Sequence, residues 1–345
     1  MRICVVGAGA IGGLMAAKLA LAHNQEAHNQ EAGNDVTVID QGAHLAAIQK
    51  NGLKLIWEDG SEHLAKVKAV ASVAEAGPQD LVILAVKAHF LDQVARDVEK
   101  LLDNDTMIVT VQNGIPWWYF HNFKGPLNGT RLKSLDPSGI LDRYIPGNRI
   151  VGCVVYPAAA VTEPGVVRHV EGDRFPVGEL DGSESARVQK LHDLLVEAGF
   201  RSRVLDDIRS EIWLKAWGNL CFNPISALSH ATLEDICTFP ETRHLAATMM
   251  AEAQTIGEKL GAVFRHTIDK RIDGAQSVGK HKTSMLQDVE AGRSLETEAL
   301  IGAILEMGKL VDTPAPAIES VYACVKLLNK TMLLEQSGVT LQKTG

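Results

Sequence analysis

A chain of 345 residues, 46% of them hydrophobic and 22% charged, is long enough for two globular domains. Its net charge of -8 argues against nucleic acid as a main partner, because phosphate binding needs a basic surface. The five cysteines are widely spaced, the histidines show no metal-ligand spacing, and no apolar run is long enough to span a membrane. These features predict a cytoplasmic protein with reduced thiols, no metal site and no membrane span.

The N-terminal segment predicts a dinucleotide-binding turn. A short apolar run ends in a Gly-x-Gly-x-x-Gly pattern, and a helix-forming segment follows it. In that context the first glycine permits the turn, the second admits a pyrophosphate, and the third lets the helix pack on the strand. We predict that the turn binds the cofactor through Gly7, Ala8, Gly9, Ala10, Ile11 and Gly12. The alternative is a glycine-rich turn without a ligand.

Asp40 ends the second predicted strand, Asp35–Asp40, and is the acidic residue expected to bind the ribose hydroxyls. It lies farther beyond Gly12 than the usual distance of about 20 residues. A tandem duplication of His-Asn-Gln-Glu-Ala at residues 23–32 accounts for the excess, and we assign it no chemistry. The charge of Asp40 would repel a 2′-phosphate and so favours NAD(H) over NADP(H). The alternative is a carboxylate that only caps the strand.

Alternating strands and helices predict an α/β fold, with an N-terminal Rossmann-like doubly wound sheet and an all-α C-terminal domain. We place the dinucleotide-binding domain at residues 1–205 and the helical substrate and catalytic domain at residues 206–345. Further strands are predicted at 80–87, 107–114, 150–159 and 174–180, a hairpin-like pair at 53–70, and helices at 45–52, 90–102 and 183–199. The helical domain is predicted to contain helices at 208–230, 242–260, 281–311 and 317–336.

Two polar residues follow predicted parallel strands, Lys87 after the apolar run 80–86 and Asn113 after the run 107–111. Ligands bind at the carboxyl ends of the strands in open α/β sheets, so both are candidate site residues. The alternatives are a solvated loop lysine and an asparagine that forms a turn with Gly114.

A second candidate set lies on the predicted helix 208–230. Lys215, Asn219 and Asn223 recur at every fourth position and therefore share one helix face, with large apolar residues on the other faces. An ammonium group beside neutral amides can donate a proton to a carbonyl oxygen. A solvated polar face is the alternative.

A third set lies on the predicted helix 281–311. Ser284 and Glu296 are separated by slightly more than three helical turns, so one face of a helix can carry both. The alternatives are a helix N-cap for Ser284 and a surface ion pair with Arg293 for Glu296.

Together these motifs resemble the ketopantoate reductase family over nearly the whole chain. The resemblance rests on Gly7–Gly13, 85–87, 112–114, the segment 284–296, and Lys215 with Asn219 and Asn223, which we call the Lys215 row. It implies a Rossmann domain joined to a helical domain, with the substrate in the cleft between them. It also implies that Lys215 is the catalytic lysine and that Glu296 orients substrate and lysine. The remaining implied site residues are Ser284 for the substrate carboxylate and Asn113, Asn219 and Asn223 near nicotinamide and substrate.

Three departures from the family pattern concern specificity. Many members carry a basic residue at the position of Asp40, where it pairs with the lysine matching Lys87 to hold NADPH. Many have asparagine where this chain has His281, which we nevertheless include among the substrate-binding candidates. Ile301 also stands where the family has asparagine. The cofactor is therefore expected to be NADP or NAD, with Asp40 favouring NAD.

The sequence thus predicts an oxidoreductase that reduces a 2-oxo acid, with 2-dehydropantoate as the first candidate, and Lys215 as the general acid. The alternatives are an NADH-dependent reductase of a different 2-oxo acid, a non-catalytic dinucleotide-binding sensor, and an opine-type enzyme. The expected partner is a small-molecule substrate, with neither nucleic acid nor membrane, and a homodimer is an option that the helix periodicity leaves open.

Overall fold

The computed structural model describes residues 1–22 and 34–341, so the duplication at 23–32 lies outside the described residues. Its strands are β1 Arg2–Val6, β2 Asp35–Ile39, β3 Leu53–Ile56, β4 Glu62–Ala65, β5 Lys68–Val70, β6 Gln79–Leu84, β7 Leu102–Thr110, β8 Ile150–Cys153, β9 Ala158–Glu163, β10 Val166–Glu171 and β11 Val177–Gly178.

The α-helices are α1 Ala10–Leu21, α2 Gly42–Asn51, α3 Val73–Ala76, α4 Leu91–Ala95, α5 Ile140–Tyr144, α6 Ala186–Glu197, α7 Ile208–Ser229, α8 Leu233–Thr238, α9 Pro240–Lys259, α10 Ile268–Gln276, α11 Ser284–Glu290, α12 Ala303–Leu310 and α13 Pro316–Glu335. Short 3-10 turns occur at Ala88–Phe90, Val98–Leu101 and Gly147–Arg149, and a π-helical turn at Glu298–Gly302. Among the described residues, no helix is both long and apolar enough to cross a membrane.

The predicted Rossmann-like sheet is confirmed. Seven strands are arranged in the order β11-β8-β7-β6-β1-β2-β5, and β1 pairs in parallel with both neighbours, so that Val6 lies opposite Ile39 and Leu84. Among the described strands of this sheet, only β11, at one edge, runs antiparallel to its neighbour. The central strands are buried on both faces, which explains their continuous apolar sequences. The carboxyl ends of β2, β1 and β6 consequently lie side by side.

A second, four-stranded sheet in the order β4-β3-β10-β9 was not predicted. The hairpin-like pair at 53–70 is confirmed as the antiparallel strands β3 and β4, but β5 leaves it and joins β2 in the larger sheet. The strand predicted at 150–159 divides into β8 and β9, because Pro157 has no N–H for a continuous ladder. In the second sheet β10 pairs with β3 in parallel and with β9 antiparallel.

The C-terminal part is helical from α7 to α13, as predicted, but the single helix predicted over 281–311 is wrong. Two helices, α11 and α12, replace it. Gly292, with φ +64°, follows the C-cap Ala291 of α11, and this left-handed conformation stops the helix. The helix predicted over 90–102 is likewise reduced to α4 and two 3-10 turns, and α8 and α10 were not predicted.

The chain divides into two compact units. The first comprises Met1–Gln112, Trp117–Arg131 and Ser138–Ile208, and the second comprises Asn113–Pro116, Leu132–Pro137 and Arg209–Gly345. Two short segments that precede α7 in the sequence therefore belong with the helices. One of them begins with Asn113, a candidate site residue.

Candidate active site

The glycine-rich turn between β1 and α1 depends on the absence of side chains. Gly7 has φ +94°, and a methyl group there would lie 2.8 Å from Cγ1 of Val86. A methyl group on Gly12 would lie 2.0 Å from the carbonyl oxygen of Gly7. Gly9 differs, because no atom of the described residues beyond its chain neighbours lies within 4 Å of the position that its Cβ would take. Gly7 and Gly12 are thus required by the fold, whereas Gly9 leaves space beside the backbone.

Helix α1 begins beside this space. Its N-cap is Gly9, which has no side chain to accept a hydrogen bond from the first turn, and that turn contains no acidic residue. The first N–H groups of a helix have no acceptor within the helix, and the helix dipole favours an anion beside them. The N–H groups of Ala10 and Ile11 therefore suit the phosphates of a dinucleotide.

Asp40 follows β2 and contacts the glycine-rich turn directly. Its Oδ2 accepts a hydrogen bond from the N–H of Ala8 at 2.7 Å, and its Oδ1 accepts one from the N–H of Gln41 at 2.7 Å. A carboxylate has about four lone-pair sites, so these two bonds leave acceptor capacity for a hydroxyl group. The side chain is half-buried, and its negative charge is fixed at the edge of the turn.

Two further side chains lie at the ends of β6 and β7. Lys87 is half-buried, and its carbonyl accepts a hydrogen bond from the N–H of Phe90 at the 3-10 turn after β6. Gln112 is the first residue of the family motif at 112–114. Its Nε2 donates to the carbonyls of Leu84 at 2.8 Å and Val86 at 2.9 Å. Gln112 therefore fixes the backbone that leads to Lys87.

Lys215 and Asn113 meet in the second unit, although 102 positions separate them in the sequence. The ammonium Nζ of Lys215 donates a hydrogen bond to Oδ1 of Asn113 at 2.6 Å. Lys215 projects from α7 and is half-buried. An ammonium group carries three N–H donors, and this bond uses one of them. The bond to a neutral amide orients the ammonium group without cancelling its charge.

The predicted row on α7 is present, since α7 is helical over all three positions. Asn219 is half-buried, and Asn223 is buried with 5% of its surface exposed. The Nδ2 of Asn223 is buried without a hydrogen-bond partner among the described residues. A buried amide donor without an acceptor costs free energy, so such a group is expected to have a ligand as its partner.

The other faces of α7 are apolar. Trp213 and Trp217 are fully buried, and Nε1 of Trp217 donates to the carbonyl of Met250 at 2.7 Å. Burial raises the pKa of the Cys221 thiol, whose Sγ donates to the carbonyl of Trp217. Cys221 therefore stays protonated and offers no nucleophile beside the Lys215 row. Four of the five cysteines are buried, and Cys324 is exposed.

The segment Asn113–Pro116 also contacts the π-helical turn 298–302. The N–H of Ile115 donates to the carbonyl of Ala299 at 2.8 Å. A methyl group on Gly114 would lie 2.2 Å from the same carbonyl oxygen, so only glycine permits this approach. Half-buried Glu296 lies two residues before this turn, and its carbonyl accepts from the N–H of Leu300. The Asn113 segment is thus held close to the chain that carries Glu296.

Ser284 is not the N-cap of α11. Thr283 is the N-cap, with its hydroxyl accepting from the N–H of Leu286 at 3.2 Å, and Ser284 is the exposed first residue of the helix. The break after α11 also removes the single helix face that was predicted to carry Ser284 and Glu296 together. His281 is half-buried ahead of α11, and its carbonyl accepts from the N–H of Leu233.

Comparison with known proteins identifies the family. Residues 3–182 match the model "Ketopantoate reductase PanE/ApbA", and residues 207–329 match "Ketopantoate reductase PanE/ApbA C terminal". The chain belongs to the ketopantoate reductase family. A 2-dehydropantoate 2-reductase of Mesorhizobium japonicum is 53% identical over 95% of this chain and 98% of its own length. The predicted family is confirmed, and with it the predicted enzyme class, an oxidoreductase.

Solved structures agree with this membership. A structure assigned to the ketopantoate reductases, from Ralstonia solanacearum MolK2, is 38% identical and has a TM-score of 0.89, covering 96% of this chain and 98% of its own. The 2-dehydropantoate 2-reductase of Methylococcus capsulatus is 26% identical with a TM-score of 0.79, covering 96% of this chain and 98% of its own.

Proposed function

We propose that this protein reduces a 2-oxo acid to the 2-hydroxy acid with a hydride from NAD(P)H, and that 2-dehydropantoate is its substrate. The observation that carries the proposal is the hydrogen bond between Lys215 and Asn113, which fixes an ammonium group on the row that the family pattern marks as catalytic. The 53% identity to a 2-dehydropantoate 2-reductase supports this substrate and a place in pantothenate biosynthesis.

Reduced nicotinamide, when bound, supplies a hydride to C2 of the ketone. Negative charge then develops on the ketone oxygen, and Lys215 Nζ stabilises this charge and transfers a proton to it, which leaves the hydroxyl group of the product. The neutral amine that remains still has N–H donors, so its bond to Asn113 persists through the transfer. Lys215 regains a proton from solvent before the next turnover.

The remaining site residues are proposed to bind and orient the substrate. Buried Asn223 offers an Nδ2 donor that has no partner among the described residues, and Asn219 lies one helical turn before it. Exposed Ser284, at the N-terminus of α11, binds the substrate carboxylate, and His281 contributes to the same region. Glu296 orients Lys215 and substrate. Fixed orientation converts part of the binding energy into rate.

The cofactor is proposed to bind the glycine-rich turn, because the open space at Gly9 and the first N–H groups of α1 fit a pyrophosphate. Lys87 is proposed to contact the cofactor as well. The carboxylate of Asp40, fixed by the N–H groups of Ala8 and Gln41, accepts from ribose hydroxyls and repels a 2′-phosphate. We therefore propose a preference for NADH over NADPH.

Residues 1–205 are proposed as the dinucleotide-binding domain and residues 206–345 as the substrate and catalytic domain. A cytoplasmic location and a homodimer stay predictions. Size-exclusion chromatography with light scattering measures the oligomeric state directly.

A second candidate is an NADH-dependent reductase of a different 2-oxo acid. The observation that favours it is Ile301, fully buried in the π-helical turn where the family has asparagine. A buried isoleucine side chain cannot donate a hydrogen bond as asparagine does. A substrate whose hydroxyl group accepts from that asparagine would therefore bind this protein less tightly. His281 in place of asparagine is a second change of the same kind.

A steady-state assay of 2-dehydropantoate against a panel of 2-oxo acids, each with NADH and with NADPH, separates the two candidates. The first requires the highest kcat/KM for 2-dehydropantoate, and the second requires it for another acid. If the protein binds a dinucleotide but no 2-oxo acid oxidises the reduced form, both candidates are contradicted. The non-catalytic dinucleotide-binding sensor is then the function that agrees with the result. Oxidation that requires an added amine would indicate the opine-type reaction.

Asp40→Arg tests the proposed cofactor preference in the same assay. Replacing the carboxylate by a guanidinium group is expected to shift the ratio of kcat/KM for NADPH over NADH upward by about tenfold or more, since repulsion becomes attraction. Asp40→Asn, which removes only the charge, should give a smaller shift. An unchanged ratio in Asp40→Arg would contradict the assigned role of Asp40.

A further inference from the structure

His44, in the first turn of α2, lies between the glycine-rich turn and the turn that joins β9 and β10. Its Nε2 is 2.9 Å from the carbonyl oxygen of Ala8, and its Nδ1 is 3.1 Å from the backbone nitrogen of Gly165. The side chain is half-buried. Neither the family pattern nor the spacing of motifs singled out this residue.

The two contacts determine which ring nitrogen donates and which accepts. A backbone N–H can only donate, so Nδ1 accepts from Gly165 and carries no proton. A carbonyl can only accept, so Nε2 carries the proton and donates to Ala8. His44 therefore uses one ring donor and one ring acceptor to connect two backbone segments.

Gly165 is itself fixed in place. Its carbonyl accepts from the N–H of Lys54 on β3 at 2.9 Å, and it has φ +79°. A methyl group on Gly165 would lie 3.0 Å from Cβ of Ala47, so α2 packs closely against it. Gly165 is thus held by β3 and α2, and His44 connects it to the carbonyl of Ala8.

Ala8 has each of its backbone polar groups bound by one side chain. Its N–H donates to Asp40, and its carbonyl accepts from His44. In a trans peptide the C=O and N–H groups point in opposite directions. The bond from His44 to the Ala8 carbonyl therefore also determines the direction of the N–H of Gly9, which points away from His44. The open space at Gly9 lies at the same residue.

We propose that His44 is a positioning residue of the dinucleotide site, which aims the N–H of Gly9 at a phosphate of the cofactor. The inference rests on the proposed binding of NAD(P)H at the glycine-rich turn. His44 itself does not contact the cofactor in this proposal. The second sheet, through Gly165, thereby stabilises the conformation of the turn on which phosphate binding depends.

The experiment compares three variants of the full chain. His44→Leu and His44→Phe remove both hydrogen bonds, and His44→Phe keeps a ring of similar volume in case the leucine variant folds poorly. His44→Gln restores them in principle, because a side-chain amide also provides an N–H group to donate and a carbonyl oxygen to accept. The dissociation constants of NADH and NADPH are measured by fluorescence titration, with thermal unfolding as the control for folding.

We expect the dissociation constant of the preferred dinucleotide to rise about tenfold in His44→Leu and His44→Phe, from the loss of two hydrogen bonds of modest net value. His44→Gln should recover most of this loss. The KM of the 2-oxo acid should change much less than the dissociation constant of the dinucleotide. A purely structural role would instead lower the midpoint of thermal unfolding and leave dinucleotide affinity unchanged in the folded protein.

The outcomes separate this inference from the proposed function. Equal dinucleotide affinity in the wild type and a folded His44→Leu or His44→Phe variant overturns the role of His44 alone. An equal loss of dinucleotide affinity in His44→Gln and His44→Phe also overturns this role, because the hydrogen bonds of His44 would then not be the cause of the loss. Failure of the wild type to bind either dinucleotide overturns the proposed function, and this inference with it.

Discussion

The glycine-rich turn and the Lys215 row are built in opposite ways. The turn is a contiguous segment whose geometry follows from backbone angles and from missing side chains at Gly7 and Gly12. The Lys215 row depends on side chains and on a partner, Asn113, that lies 102 positions away. Substitutions at Gly7 and Gly12 should therefore affect folding and cofactor binding together, whereas substitutions in the row should affect the chemical step with little change in stability.

Lys215→Ala should have the largest effect on turnover. Loss of the general acid is expected to lower kcat by about 10²–10⁴-fold, while the midpoint of thermal unfolding changes little because the side chain is only half-buried. Lys309→Ala, which removes an exposed lysine from α12, is the matched control and should keep normal kcat. Turnover by Lys215→Ala close to that of the wild type would remove Lys215 from the mechanism.

Gly12→Ala and Gly9→Ala should separate the two functions of the turn. A methyl group at Gly12 meets the backbone oxygen of Gly7, so we expect a loss of about 3 kcal/mol in the free energy of unfolding. At Gly9 the methyl group meets no atom in the part of the chain that the structure describes, so the free energy of unfolding should change by less than about 1 kcal/mol.

The dinucleotide dissociation constant should nevertheless rise about tenfold in Gly9→Ala, because the methyl group occupies the space proposed for the phosphates. Urea unfolding and fluorescence titration measure the two quantities. Normal dinucleotide affinity in Gly9→Ala would show that the open space is not where the phosphates bind.

Asn113→Leu should lower kcat without unfolding the protein. It keeps a similar side-chain volume but removes the acceptor for Lys215 Nζ. A hydrogen bond to a charged group is worth about 1.5–3 kcal/mol, so a decrease in kcat of about tenfold or more is expected. Asn113→Asp keeps the acceptor and adds a charge, which should shift the pH profile of kcat as well. An unchanged kcat in Asn113→Leu would mean that the bond does not orient Lys215.

The sequence predicts the parts of the fold and of the candidate site that depend on patterns within a single segment. Buried parallel strands have continuous apolar sequences, and Lys215, Asn219 and Asn223 share a helix face at a regular spacing. The second sheet was missed because β10 pairs with β3 across more than a hundred residues, and no local pattern encodes such pairing.

Ser284 and Glu296 were placed on one helix because their spacing allows it. Helical spacing alone does not reveal that Gly292 adopts a left-handed conformation and ends α11. The sequence does not predict the hydrogen bonds of Asn113 with Lys215 and of His44 with Ala8, because each joins segments that are far apart in the chain.

The smallest expected effects concern the neighbouring residues Thr283 and Ser284 at the start of α11. Substitution of Thr283 should affect stability, and substitution of Ser284 should affect substrate binding. Thr283→Ala removes the N-cap hydrogen bond to Leu286 and should lower the free energy of unfolding by about 1 kcal/mol. Ser284→Ala removes an exposed hydroxyl and should leave that free energy unchanged, but raise the KM of the 2-oxo acid by severalfold, because a hydrogen bond to the substrate carboxylate is lost. Urea unfolding and steady-state kinetics of both variants measure the pair. A KM effect in Thr283→Ala with none in Ser284→Ala would mean that the position of α11, rather than the serine hydroxyl, determines substrate affinity.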